Sequence, residues 1–259
     1  MDLGIAGRTA VVCASTLGLG RACASELAQA GCTVVVNGRS DESTRAAARE
    51  IAQETGATVV PVAGDVDDPA VQAELLGAAG DVDILVNNNG GPPFRDFREI
   101  DEAALLAGVR ANMTTPIRLG QAVVDGMVAR RFGRIVNITS GSVKMPLAGL
   151  DLSSGARAGL TGFLAGVARS VAPANVTINF LLPGSFDTRR LRAAQESAAA
   201  GAGVTPEVIA ERQRAAIAAG RFGDPAEFGA ACAYLCSAAA GFVTGQSLLI
   251  DGGAYPGVL

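Results

Sequence analysis

The run Val11-Val12-Cys13-Ala14-Ser15-Thr16-Leu17-Gly18-Leu19-Gly20-Arg21 sets small residues at 14, 18 and 20 between an apolar stretch and a helical one. The chemistry this spacing supports is anion binding. With no bulky side chain in the way a phosphate can approach the backbone, and the N-terminus of the following helix offers unpaired N–H groups and a partial positive charge. The same spacing also suits a bare tight connection between a strand and a helix. The helix, expected over residues 21–30, stops at Gly31, where a C-cap glycine belongs. Elsewhere the chemistry is bounded by what is missing. The 259 residues include no His, so the commonest general base and the commonest metal ligand are both absent. The cysteines Cys13, Cys23, Cys32, Cys232 and Cys236 form neither a CxxC pair nor a secreted disulfide framework and are expected to be buried thiols. Cys232 and Cys236 share a helix face but lack another soft ligand nearby, so no metal site is expected.

A phosphate turn of this kind needs a sheet to hold it. Thr33-Val34-Val35-Val36 reads as a second strand, residues 41–55 as a polar helix and residues 58–62 as a third strand. The alternation continues with a helix at 68–79, a strand at 84–86, a helix from 102 to about 130 and a strand at 134–138. A helix at 153–171 and strands at 176–182 and 247–250 complete it. Near-continuous apolar strands alternating with helices call for an α/β fold: one doubly wound, Rossmann-type parallel sheet with helices on both faces. The whole of 1–259 is expected to be a single domain, with residues 188–219 inserted as a mobile helical lid. At 49% hydrophobic but only 4% aromatic, the composition suits close helix-on-sheet packing rather than a β-sandwich. The net charge of −4 offers no basic field, so nucleic acid and anionic membrane are not expected partners. Neither a membrane-spanning run nor a signal-peptide layout is present, and a cytoplasmic location is expected.

With these elements in order, several motifs resemble those of the short-chain dehydrogenase/reductase family, its 3-oxoacyl-ACP-reductase-like branch in particular. Cys13-Ala14-Ser15-Thr16-Leu17-Gly18-Leu19-Gly20 is similar to the family's TGxxxGxG turn, Asp65-Val66 to its adenine-holding pair, and Asn87-Asn88-Asn89-Gly90 to its NNAG motif. Pro183-Gly184 with Phe186 and Thr188 is similar to the PGxxxT segment beside the nicotinamide, and Thr244-Gly245 through Asp251-Gly252-Gly253 to the family's TGxxxxxDGG ending. The resemblance covers nearly the whole chain and implies a nicotinamide dinucleotide as cofactor. It also implies a homodimer or homotetramer, with the long helices near Asn112 and Ser153 packed across two-fold axes and the tail Ala254-Tyr255-Pro256-Gly257-Val258-Leu259 covered by a neighbour.

Which dinucleotide is decided at the end of the second strand, where an acidic residue would hold the adenosine ribose hydroxyls of NAD. There is none in Asn37-Gly38-Arg39-Ser40, and the guanidinium of Arg39 with the hydroxyl of Ser40 suits a 2′-phosphate, hence NADP(H). Arg39 can also be read as a solvated surface residue.

The family's catalytic tetrad is met only in part. The resemblance assigns Asn112 as its Asn and Ser140 as its Ser. Thirteen residues beyond Ser140 the family's Tyr is replaced by Ser153, and four further on its Lys by Arg157. An aliphatic hydroxyl is a far weaker acid than a phenol, and Arg differs from Lys in shape and in how firmly it keeps its charge. Arg157 could still bind ribose hydroxyls. Lys144, in the loop after the strand that carries Ser140, is the candidate replacement charge, though a solvated loop Lys fits as well. Asp151 and Ser154 flank Ser153, and helical phase allows at most one of them to share its cleft. Gly90-Gly91-Pro92-Pro93 could shape a pocket wall or be a plain turn, and Phe94, Phe97 and Phe186 could line it or belong to the core.

These features point to an atypical NADPH-dependent reductase acting on a polarised C=C, imine or carbonyl of a small or medium organic substrate. Two other readings stay open: a cyclase, isomerase or dehydratase on the same scaffold, and a dinucleotide-binding protein without catalysis.

Overall fold

The computed structural model describes residues 2–91 and 94–257. Pro92, Pro93, Val258 and Leu259, named above for the pocket wall and the tail, lie outside them. Seven strands form one parallel sheet in the order β3-β2-β1-β4-β5-β6-β7: β1 Thr9–Val12, β2 Thr33–Gly38, β3 Val59–Ala63, β4 Ile84–Asn87, β5 Gly133–Ile138, β6 Val176–Pro183 and β7 Ser247–Ile250. Period-two alternation splits each central strand between two cores. Val12, Val34 and Val36 face the helices α1 Gly18–Gln29, α2 Asp41–Thr55 and α9 Pro225–Cys236, through Leu27, Ile51 and Phe228. Val11 and Val35 face the other side, where α3 Pro69–Ala79, α5 Thr115–Arg130 and α6 Asp151–Val171 supply Leu75, Val123 and Leu160. Both faces of these strands are thus dry, which is why they read as unbroken apolar runs. Pro61 interrupts β3 without harm because β3 is an edge strand with a partner on one side only.

The strand order reverses at β1, with β2 on one side and β4 on the other, so the carboxyl ends of β1 and β4 open a crevice at the switch point. Two sequence expectations need correcting. First, α1 begins at Gly18, three residues earlier than expected: the glycine turn is itself the first helical turn. Second, the single helix expected over 102–130 is α4 Glu102–Val109 and α5, joined by a π-helical turn at Arg110–Thr114. Pro116 sits in the first turn of α5, where its missing N–H is harmless. Residues 188–219, expected as a helical insertion, hold two helices, α7 Arg189–Ala202 and α8 Pro206–Ala215, packed on each other. Among the described residues no helix is long and apolar enough to cross a membrane.

Candidate active site

The phosphate turn is built as its spacing implied. Leu17 caps α1 in an extended conformation with no side-chain bond, and the first turn holds no acidic residue, so its N–H groups are left for an anion. Gly18 takes φ +59°, which a side chain would resist. Gly20 sits against the turn itself: a Cβ there would run into the carbonyl oxygen of Ala14 and come within 2.6 Å of Asn88 Nδ2. Ala14, at φ 44°, donates its N–H to Asn37 Oδ1 at 3.1 Å and accepts from Asn88 Nδ2 at 3.0 Å. The hydroxyl of Ser15 bonds to Val12 O at 2.7 Å and accepts from the Asn37 N–H at 3.0 Å. Thr16 packs over Gly38 at the end of β2, and Leu19 lies against the core formed with α9.

Around this turn the expected dinucleotide residues divide into those that could face a ligand and those that hold the frame. Arg39 is exposed, with no ion pair among the described residues, so its guanidinium is free for a phosphate. Beside it Ser40 caps α2 through the Ser43 N–H. Asn37, by contrast, is buried, and its amide donates to Val62 O and Gly64 O, stapling β2 to β3. Asp65 is exposed and turns the chain through the Asp67 N–H, while Val66 is buried and lines the cavity behind β4. Gly184 lies so close to Asp251 that a Cβ would meet its Cα at 2.7 Å, and Pro183 ends β6 beside it. Thr188 caps α7 through the Leu191 N–H and flanks Gly18, joining the two loops across the crevice. Of the two readings open for Phe186, the ring takes the core: it is buried edge-on against Phe228, with centroids 5.3 Å apart. Phe94 and Phe97 are exposed instead.

The expected catalytic residues do converge. Arg157 is 7% exposed and reaches back over the end of β5, where Nε donates to Ser153 Oγ at 3.1 Å, Nη1 to Ile138 O at 2.6 Å and Nη2 to Asn89 O at 3.4 Å. All three acceptors are neutral. Burial lowers the guanidinium pKa to about 10, with the like charge of Arg190 adding to the effect, so it stays protonated at neutral pH. Ser153 and Arg157 meet because they are four apart on α6. Asn112, delivered by the π turn, is 3% exposed. Its Nδ2 bonds to Gly108 O at 3.3 Å, while its buried Oδ1 has no hydrogen-bond partner among the described residues; Asn112 lines a small cavity together with Arg157 and Asn87. A π turn opening one polar side chain toward a site is a recurrent functional device.

Ser140 follows β5 and caps a short 3-10 turn at Gly141–Val143. Its Oγ accepts from the Ser142 N–H at 3.1 Å and from Ser142 Oγ at 2.9 Å, and Ser142 Oγ accepts in turn from Ser154 Oγ at 2.8 Å. Of the two neighbours of Ser153, then, Ser154 turns toward Ser140, while Asp151 is exposed. Lys144, the sole lysine of the chain, is half-buried just after this turn and has no ion pair among the described residues. Among the described residues no hydrogen bond joins its side chain to Ser153 or Arg157.

Some positioning residues escaped the sequence. Asp67 accepts from Asn89 Nδ2 at 2.9 Å and from Thr115 Oγ1 at 2.7 Å, and so fixes the loop whose Asn89 O receives Arg157. Asn89 also holds Ala111 O and the N–H of Gly90. Asn87 bonds to Asn137 across β4 and β5 at 2.9 Å. Arg190, in the first turn of α7, reaches across the cleft to Gly91 O at 3.4 Å. The five thiols are all buried, and among the described residues no group of His, Cys, Asp or Glu could hold a metal.

Residues 13–255 match the model of a protein family described as enoyl-(acyl carrier protein) reductase. The chain belongs to the short-chain dehydrogenase/reductase family. Among its relatives is the 3-oxoacyl-(acyl-carrier-protein) reductase FabG of Vibrio cholerae, 32% identical over 256 residues that cover 98% of this chain and 99% of the relative. The L-sorbose reductase of Gluconobacter frateurii, solved with NADPH and L-sorbose, superposes with a TM-score of 0.94 at 27% identity, covering both chains entirely. The actinorhodin polyketide ketoreductase, solved with NADPH, gives 0.89 at 30% identity over 96% of this chain and 97% of that one. As a short-chain dehydrogenase/reductase, this protein is an oxidoreductase on a Rossmann-type sheet.

Proposed function

We propose that the protein is an NADP(H)-dependent reductase of a small or medium organic molecule whose reducible bond is polarised by oxygen or nitrogen: an enone, an imine or a ketone. The observation that carries this reading is the buried Arg157, a cation without a carboxylate partner whose Nε donates to Ser153 Oγ. NADPH, when bound, supplies the hydride. The chain must then stabilise the negative charge that grows on the substrate oxygen or nitrogen, and fixed donors in a dry site are effective at this. Ser153, at the position of the family's Tyr, donates to that atom while Arg157 polarises it. Ser140 is the second donor. Arg157 stands at the position of the family's Lys and, through Ile138 O and Asn89 O, also fixes the floor on which the nicotinamide ribose would rest. Lys144, just after the turn that Ser140 caps, supplies a further positive charge, and Asn112 offers an Oδ1 that no described residue engages. The uncapped start of α1 and the free Arg39 support the dinucleotide and its 2′-phosphate, in keeping with the NADPH bound in the L-sorbose reductase structure.

A weak hydroxyl acid suits enone reduction best, because hydride addition to the C=C leaves an enolate that needs stabilisation more than immediate protonation. Scanning NADPH oxidation across enones, imines and ketones, with product identification, tests the reading. Turnover of an enone with product saturated at C=C is the expected result. Product formation without NADPH consumption overturns it.

A further inference from the structure

Three serine hydroxyls at the end of β5 and the start of α6 form a connected row. Ser140 Oγ accepts from the backbone N–H of Ser142, a bond whose direction cannot reverse, and shares a hydroxyl–hydroxyl hydrogen bond with Ser142 Oγ at 2.9 Å. A bond between two hydroxyls can be polarised either way, so Ser140 can give away its own proton and take one from Ser142. Ser142 is buried, and its Oγ bonds in turn to Ser154 Oγ at 2.8 Å. Ser154, in the first turn of α6, is only half-buried, and no described residue donates to its Oγ. Ser153 stands outside this row: its Oγ accepts from Arg157, and among the described residues it makes no hydrogen bond to the three serines.

We propose that Ser154, Ser142 and Ser140 form a proton relay from solvent to the substrate, taking over the proton delivery for which this site has no phenol. The proposal rests on the reductase reading above. As charge grows on the substrate oxygen, Ser140 gives that oxygen its proton and the new O–H bond forms there. Ser140 takes the proton of Ser142, Ser142 takes that of Ser154, and Ser154 is refilled from bulk water. One proton enters from solvent, one reaches the product, and each serine ends neutral. Because the moves are concerted, no free serine alkoxide is required, which removes the objection that an aliphatic hydroxyl is too weak an acid to act alone. Ser140 is the catalytic residue, and Ser142 and Ser154 are positioning residues that act through it. In alcohol oxidation the two exchangeable hydroxyl bonds turn over and the proton leaves by the same path.

The test uses the full-length protein with saturating NADPH and two probes, ethyl acetoacetate and cyclohex-2-enone. Steady-state rates are measured in mixtures of light and heavy water, alongside NADPH binding by fluorescence. A relay of several protons gives a bowed dependence of kcat on deuterium fraction. Ser154→Ala is expected to lower kcat by at least about tenfold, a fraction of the roughly 10²–10⁴-fold that positioned proton transfer contributes, with KM and NADPH affinity held and the bowing lost. Ser154→Thr, which keeps the hydroxyl, is expected to restore both rate and curvature. Ser142→Ala should reproduce the loss. If Ser154→Ala keeps the kcat and the bowed profile of the unmodified protein, the relay is wrong. If the unmodified protein oxidises NADPH with neither probe nor any ketone, imine or enone of the wider panel, the reductase reading fails and the relay falls with it.

Discussion

Gly20 and Gly77 are both helical glycines, and the structure requires opposite outcomes when each is changed to Ala. Replacing a helical glycine by alanine gains up to about 1 kcal/mol in propensity. At Gly77, in the exposed face of α3, an added Cβ meets nothing within 4 Å, so that gain is expected in full. At Gly20 the new Cβ collides with the backbone carbonyl of Ala14 and lies 2.6 Å from Asn88 Nδ2. The carbonyl cannot swing aside, because Ala14 is held through Asn37 and its oxygen already accepts from Asn88. Overpacking of this kind costs about 1–3 kcal/mol, and breaking the Asn88–Ala14 bond adds about 1 kcal/mol. The clash outweighs propensity by roughly 1–3 kcal/mol, or about 2–12 °C in Tm for a chain of this size. Because α1 must also move off the turn, NADPH affinity is expected to fall at least tenfold in the same variant. Thermal unfolding and fluorescence titration with NADPH check both quantities. A Gly20→Ala protein with unchanged Tm and unchanged NADPH affinity would refute the close approach, and with it the role given to the turn.

Arg39→Ala is expected to remove most of a preference for NADPH over NADH, measured by calorimetry on both cofactors; equal affinities in the unmodified protein would show that the 2′-phosphate is not read here. The buried thiols should resist a disulfide reagent at pH 8 in the folded protein and all react on unfolding, since burial pushes Cys13 up to about 12. The sign of the linked stability follows: between the ordinary value of 9.0 and about 12 the folded state keeps a proton that the unfolded chain loses. Stability should therefore fall as pH rises above 9, by about 1.4 kcal/mol at pH 10 for Cys13 alone, and denaturation at a series of pH values would show it. The apolar Leu105 and Leu106 on α4 and Phe163 on α6, all exposed, lie on the helices expected to pack across two-fold axes. Light scattering at micromolar concentration is expected to give a dimer or tetramer, and a monomer would contradict this.

Periodicity carried most of the fold. The bounds of α2 and β7 agree with their sequence patterns residue for residue, because a polar amphipathic helix between a Ser cap and a C-terminal glycine, and a short apolar strand, are locally unambiguous. The break at Arg110–Thr114 was less legible, since the surrounding run is helical throughout and its trace in the sequence is Pro116. In the site, Ser153 and Arg157 could be paired from their spacing of four. That Ser154 would turn to Ser142, or that Asp67 would hold Asn89 from another loop, could not, because both contacts depend on how separate loops meet at the sheet edge. For Phe186 the sequence left wall and core open, and it is packing against Phe228, from a helix distant in sequence, that takes its ring into the core.

The most direct measurement of the central claim compares kcat/KM for Arg157→Gln, Lys144→Ala and Ser153→Ala with a turned-over substrate, alongside NADPH affinity for each. Loss of the buried cation in Arg157→Gln should lower kcat/KM by about 10²–10³, the scale of one transition-state donor. Lys144→Ala is expected to lower it in the same direction, and Ser153→Ala by less than about tenfold, because the guanidinium and the Ser140 hydroxyl remain. A dead Ser153→Ala beside a fully active Arg157→Gln would contradict the account.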